Sequence, residues 1–170
     1  MTKMIRTAIF WLTLIVLMGF AGWSVLRTEQ AISAGETVYV ELAPVDPRSL
    51  IQGDYMTLGY NIPNELDVDE PRGQFVIKIN EDNTASFVRV AESPQEELGP
   101  DEHLINFQRQ FNRWRGDIVI GTDAFFFQEG TAEVYEDARY GEFRVAKNGT
   151  PILVGLRDEE LKKLEPAPES

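Results

Sequence analysis

"QFVIKINEDNTASFVRV", residues 74–90, decides the fold class. In its first arm, 74–79, Phe75, Ile77 and Ile79 fall on one face, the alternation of a half-buried strand. The second arm, 84–90, is again rich in β-branched and aromatic residues. Between them stand Asn80, Glu81, Asp82 and Asn83, polar residues that favour turns. The two arms therefore read as an antiparallel hairpin with a four-residue loop.

The same grammar recurs along the chain. "TVYVEL" (37–42) alternates as a strand until Pro44 and Pro47 break it. In "DYMTLGYNI" (54–62), Met56, Leu58, Tyr60 and Ile62 share one face, and Tyr55, Thr57 and Gly59 the other. "LINFQRQF" (104–111) and "DIVIGT" (117–122) are strand-like. "DAFFFQEG" (123–130) sets three phenylalanines in a row, which suits a short segment buried on both sides. "GEFRVA" and "TPILVGL" surround "KNGT", where Asn148-Gly149 predicts a type I′ hairpin with positive φ at both central residues. "GTAEVYEDA" (130–138) is the one good helical candidate in this part of the chain, with Thr131 as its cap. "PNELDVDEPRG" (63–73) and "AESPQEELGPDEH" (91–103) read as polar loops. No internal repeat stands out.

Seven or so short strands, one short helix and hairpin connections predict a mainly β (α+β) domain with antiparallel sheets. A parallel α/β topology lacks the alternating helices it needs. The expected organisation is an N-terminal segment with a membrane anchor (1–30), one β-rich domain (31–158), and a frayed, charged, proline-bearing tail (159–170).

The front of the chain has a different character. From Thr7 to Leu26 there are 20 residues without charge, ten of them Leu, Ile, Val or Phe. As a helix they span roughly 30 Å, the hydrocarbon thickness of a bilayer. Those ten favour insertion by roughly 3–6 kcal/mol together, partly offset by Thr7, Thr13, Ser24 and the glycines. Trp11 and Trp23 stand toward the two ends. Lys3 and Arg6 precede the run, so the positive-inside rule puts the N-terminus in the cytoplasm and residues 28–170 outside. A cleaved signal peptide is the rival reading, with MTKMIR as its basic region and Gly19-Phe20-Ala21 as its cleavage site. The apolar run continues past that site through Leu26. Both readings send the rest of the chain across a membrane.

Composition excludes several functions. The chain has 170 residues, no cysteine and a single histidine, His103. A disulfide framework, thiolate chemistry and a multi-histidine metal site are excluded. Three of the 16 basic residues precede residue 28 and all 28 acidic ones follow it. The remainder thus carries 13 basic against 28 acidic residues, a formal charge of −15. Such a surface is repelled by phosphate backbones, so no nucleic-acid partner is expected. In "FQRQFNRWR" (107–115), Arg109, Arg113 and Arg115 interleave with Phe107, Phe111 and Trp114. On this acidic background they read as cation–π and charge-neutralising contacts rather than a base-stacking platform. The acidic clusters "ELDVDE" and "ESPQEELGPDE" lack the ligand alternation and central glycine of a calcium loop. No metal and no cofactor is expected, and no phosphate-binding glycine loop is present.

One stretch carries a signature. "GDYMTLGY" (53–60) fits Gly-Asp-Tyr-x-x-Leu-x-Tyr letter for letter. "VDPRSLIQGDY" leads into it, and "FFFQEGTAEVYEDARYGEFRV" with "LVGLRD" extends the likeness to about residues 36–158. The chain resembles the GDYXXLXY family. That resemblance implies a bacterial protein with an N-terminal membrane anchor, hence the inner (cytoplasmic) membrane, and a multi-pass membrane protein as neighbour or partner. It implies no reaction. The residues it singles out are Gly53, Asp54, Tyr55, Leu58 and Tyr60, with Arg48 as a charged neighbour of Asp54.

Physically, Gly53 supplies a backbone angle that a β-carbon resists, and Asp54 accepts an amide hydrogen bond or pairs with Arg48. Leu58 and Tyr60 point into the core, and the Tyr60 hydroxyl seeks a polar partner at its rim. Tyr55 faces the other way. The motif is then either a corner feeding a strand or, around Tyr55 and Arg48, an edge that holds a partner. An enzymatic reading has thinner support. Membrane-anchored signal peptidases carry a serine eight positions before a similar Gly-Asp and use a lysine base. Here that position is Val45, Ser49 stands only four before Gly53, and Lys78 is a lone strand lysine. Glu129, Glu133, Glu136 and Asp137 read as solvated charge before they read as a hydrolytic pair. The sequence thus supports a single-pass, extracytoplasmic, non-enzymatic accessory of another membrane protein. An envelope hydrolase and a small-molecule or envelope-polymer binding module are the alternatives.

Overall fold

Where the chain alternates apolar and polar residues it forms strands, and every strand ladder is antiparallel. The structure is a computed structural model that describes residues 3–43, 55–63, 70–93, 96–112 and 115–166. Helix α1 (Lys3–Ala34) comes first. Strands β1 (Glu36–Glu41), β2 (Tyr55–Thr57), β3 (Arg72–Ile79), β4 (Ala85–Val90), β5 (Glu102–Asn112), β6 (Arg115–Val119) and β7 (Ala124–Phe126) follow. A 3-10 helix (Ala132–Tyr135), β8 (Tyr140–Val145) and β9 (Pro151–Arg157) complete the described elements. They assemble as a sheet of order β1-β8-β9, a sheet of order β4-β3-β5-β6 and a two-stranded β2-β7 ribbon. The mainly β architecture agrees with the alternation in the sequence.

All three sheets share one core. Val38 and Val40 of β1, Phe143 of β8 and Leu156 of β9 are wholly buried, together with Phe75 and Ile77 of β3 and Ile105 of β5. Phe75 stacks on Phe107 with centroids 4.3 Å apart and meets Phe87 edge-on at 5.3 Å. Backbone bonds join the sheets at their turns. The Tyr39 amide donates to the Asn83 carbonyl at 2.8 Å, and the Asn106 amide to the Gly149 carbonyl at 2.8 Å.

The hairpin of residues 74–90 forms as its pattern indicates, with β3 paired to β4. Its turn closes between Asn80 and Thr84, and Asn83 takes φ 63°. The Asp82 carboxylate accepts from both the amide and the hydroxyl of Thr84, which holds that carboxyl below its ordinary pKa. The β8–β9 turn departs from the type I′ expectation. Only Gly149 has positive φ, at 80°, while Ala146 and Thr150 close around Lys147-Asn148-Gly149. This is a type I turn followed by a left-handed glycine, the three-residue hairpin solution. A β-carbon on Gly149 would come within 2.9 Å of both Asn106 Oδ1 and Gln74 Nε2, and 3.1 Å from the Leu104 carbonyl. Gly149→Ala is therefore expected to cost at least about 1–2 kcal/mol in urea unfolding.

Four further expectations are corrected. The 130–138 helix shrinks to a single 3-10 turn, Ala132–Tyr135. Thr131 makes no cap, because its hydroxyl donates back to the Gln128 carbonyl at 2.7 Å. The phenylalanine triplet is not buried on both sides: Phe125 and Phe127 pack on Tyr135 at 5.1 and 5.3 Å, whereas Phe126 is 74% exposed. Nor does the chain fray directly after β9. The Asp158 carboxylate accepts from the amides of Glu160 and Lys162, and the Leu164 amide donates to the Leu156 carbonyl at 3.0 Å. Leu164 packs against the core.

In α1 the described side chains are those of Thr7 and residues 9–24, and all of them are exposed. Counted over the described residues alone, no helix is long and apolar enough to cross a membrane. The exposed faces of α1 nonetheless carry Phe10, Leu12, Ile15, Leu17, Met18 and Phe20, each 60–70% accessible.

Candidate functional site

The GDYMTLGY segment is described from Tyr55 onward; Arg48, Ser49, Gly53 and Asp54 lie outside the described residues. From Tyr55 the chain runs as β2 against β7, pairing Tyr55 with Phe126, Met56 with Phe125 and Thr57 with Ala124. The strand then gives way to single backbone bonds. The Leu58 amide donates to the Asp123 carbonyl at 2.8 Å, the Ala43 amide to the Gly59 carbonyl at 3.0 Å, and the Asn61 amide to the Glu41 carbonyl at 3.0 Å. Leu42 and Tyr60 form an antiparallel bridge. The motif thereby stitches the end of β1 to the start of the β2-β7 ribbon.

The alternation within the motif is as the sequence indicates. Met56, Leu58 and Tyr60 are buried, Ile62 is half-buried, and Thr57 is exposed. The Tyr60 hydroxyl donates to the Thr122 carbonyl, and its ring lies 6.1 Å from that of Phe143. Burial, reinforced by the charge of Asp123, raises the Tyr60 pKa far above its ordinary value, and the bond to Thr122 only partly opposes this. The phenol is a neutral donor, not an acid–base group for neutral pH. The Thr122 hydroxyl in turn donates to the Ala124 carbonyl at 2.9 Å. The second tyrosine of the motif thus fastens the corner where β7 begins.

Tyr55 differs. It is half-buried on the opposite face, with its ring 5.8 Å from that of Phe126. These two cross-strand aromatics lie on the outward face of the ribbon, and Phe126 is the most exposed large apolar side chain among the described residues of the β domain.

The other candidate groups are dispersed. Lys78 is exposed on β3, and Glu129, Glu133, Glu136 and Asp137 are exposed around the 3-10 turn. Among the described residues no three of His, Asp or Glu gather as a metal-holding group. In the acidic stretch 92–102, Glu96 and Glu102 are engaged by Arg89, and Glu102 also accepts from the Gly99 amide at 3.0 Å. Of the interleaved arginine–aromatic run, Phe107 is in the core and Arg109 is half-buried on β5. Arg113 and Trp114 lie outside the described residues, and the side chains of Phe111 and Arg115 are not described. His103 stands in β5 rather than in the loop before it, with Nδ1 at 3.0 Å from a Glu36 carboxylate oxygen.

The family model described as GDYXXLXY protein matches residues 17–156. The chain belongs to this family. No curated protein and no solved structure shows a significant match. The GDYXXLXY match begins inside α1 and ends on β9, so it takes in the described strands of every sheet. At its C-terminal end stands a pair that the sequence did not single out. Glu142, only 7% exposed, accepts from Arg157 Nε at 3.0 Å and Nη2 at 2.9 Å. Arg157, just past the matched region, also donates to the Leu161 carbonyl at 3.0 Å and stacks 5.3 Å above the Tyr39 ring. A carboxylate in a strand of the apolar C-terminal hairpin, Glu142 in "YGEFRV", was the available signal.

Proposed function

We propose that this GDYXXLXY protein is a single-pass protein of the bacterial cytoplasmic membrane. Its N-terminus is cytoplasmic, residues 28–170 are extracytoplasmic, and the β domain is a non-enzymatic accessory of a multi-pass membrane protein. The observation that carries this reading is α1 itself. Large apolar side chains stand exposed at consecutive positions, hence on every face. A helix apolar all round belongs in a protein core or in lipid, and among the described residues no core covers its side chains 9–24. The sequence extends the uncharged run to residues 7–26, with basic residues before it and acidic ones after. Trp11 and Trp23 suit the two interfaces. For the partner contact, support comes from Phe126, exposed on a two-stranded ribbon beside the half-buried Tyr55.

Two measurements test the halves separately. The chain is expected to stay with membranes through alkaline carbonate extraction, with a reporter fused to Ser170 active only outside the cytoplasm. Release by carbonate, or a cytoplasmic reporter, would end the anchor reading. A photoreactive residue at Tyr55 is expected to crosslink to an integral membrane protein in cells. Phe126→Ser is expected to weaken that crosslink while shifting stability by no more than about 0.5 kcal/mol. Clean membrane retention with no crosslink from Tyr55 would reject the partner edge and leave the anchor standing.

A further inference from the structure

Just beyond the end of α1, the two larger sheets leave a gap between them. A recess of about 320 Å³ opens there, bounded by the start of β1, the end of β3, the start of β5 and the end of β8. Its walls are apolar: Val38, Ile79, Leu104 and Val145, with Leu98 on the loop side. At 38% exposure, Leu98 keeps part of its side chain in solvent at this opening. The volume lies at the lower end of the ~300–1,000 Å³ usual for ligand pockets. A guest must therefore be small.

Three ionisable groups line the same recess. The contact between His103 Nδ1 and Glu36 sets the orientation of the imidazole and leaves Nε2 as its other polar atom. Lys147, in the β8–β9 turn, is exposed and has no ion-pair partner among the described residues. An apolar cleft with an uncommitted ammonium and an imidazole at its edge complements one kind of molecule. Its hydrocarbon part fills the cleft, and its anionic end meets the Lys147 ammonium, with His103 close by. The acidity of the domain as a whole opposes anions at long range, but screening over ~8 Å leaves the Lys147 ammonium as the cation that meets the guest.

We propose that this recess binds a small amphiphilic anion, a short hydrocarbon carrying a carboxylate or phosphate. Two sources can supply that chemistry, a membrane lipid and a free short-chain acid or ester. The recess is formed by the β domain and stands apart from the partner edge at Tyr55.

His103 is the only histidine in the chain, so its imidazole resonance reports on the recess without ambiguity. The full chain in phosphatidylcholine nanodiscs is titrated with hexanoate and, separately, with inorganic phosphate. Hexanoate is expected to move the resonance saturably. Lys147→Ala is expected to weaken the effect about fivefold, the scale of one exposed ion pair. Leu98→Trp, which narrows the cleft from its exposed wall, is expected to abolish it. In phosphatidylglycerol discs, a resonance already displaced and unresponsive to hexanoate identifies lipid as the guest, whereas an unchanged response identifies a free solute; either supports the site. No shift with hexanoate in a chain whose amide spectrum is native would overturn the proposal. So would equal shifts from hexanoate and phosphate that survive Leu98→Trp, since they reveal surface ion pairing alone. A chain that fails to enter the discs rejects the anchor instead, and the same titration is then run without lipid.

Discussion

Tyr60→Ala is expected to destabilise the β domain by about 3–5 kcal/mol, measured by urea unfolding, the range for removing a large buried aromatic. The ring fills space against Phe143, and its hydroxyl is the donor to the Thr122 carbonyl. Tyr60→Phe separates these two roles. It keeps the ring and strips the carbonyl of its partner, at an expected cost of about 1–3 kcal/mol. The phenol also couples stability to alkaline pH. Its folded pKa is raised, so the folded state holds this proton more tightly than the unfolded chain does. That contribution is complete below the unfolded tyrosine pKa of about 10 and is lost as pH rises above it. Tyr135 and Tyr140 are shifted upward as well, each chiefly by burial, so the parent protein should weaken steeply above pH ~10. Tyr60→Phe is expected to weaken less steeply there. Equal alkaline slopes in the two proteins would mean that this hydroxyl is not sealed in the corner.

Features read correctly from sequence are those whose cause is local. The 74–90 hairpin needs only alternation and four polar residues between its arms, and all of that lies within one short segment. The inward set of the motif, Met56, Leu58 and Tyr60, follows from the two-residue period of an extended chain. Misreadings arose where one competing bond or one distant neighbour decided. The Thr131 hydroxyl took the Gln128 carbonyl instead of capping a helix. Phe126 points outward because Phe125 and Phe127 already satisfy Tyr135 from the same short segment. Gly149 alone carries the left-handed angle, since the turn closes around three residues rather than two. In the candidate sites the limit was sequence separation. Tyr60 finds Thr122 across 62 positions, and the recess joins Glu36 to His103. No periodicity in one segment encodes which residue of another will face it.

Glu142 and Arg157 extend that point, and their expected behaviour is specific. They are 15 residues apart on adjacent strands, on the side of the β8-β9 ladder where Tyr39 and the 158–164 turn enclose them. Glu142 and Phe143 are successive residues of β8 and both are buried, one charged and one apolar, where the register against β9 skips Val154. Arg157→Ala removes four contacts at once: two bonds to one carboxylate oxygen, the bond to Leu161 and the stack on Tyr39. It leaves Glu142 enclosed without a cation. Breaking a buried pair costs about 3–5 kcal/mol, and the lower end is expected because the Arg157 side chain keeps 19% of its surface in solvent. Removing both charges, with Glu142→Leu and Arg157→Met, should cost less than Arg157→Ala alone, because no carboxylate is then stranded. The consequence should also be regional. With the Leu161 carbonyl freed, cleavage after Lys162 and Lys163 is expected to outpace global unfolding, through local opening of the chain that follows β9. A loss below about 1 kcal/mol for Arg157→Ala, with unchanged proteolysis, would place the pair among screened surface contacts and leave that segment held by Leu164 and the Asp158 turn.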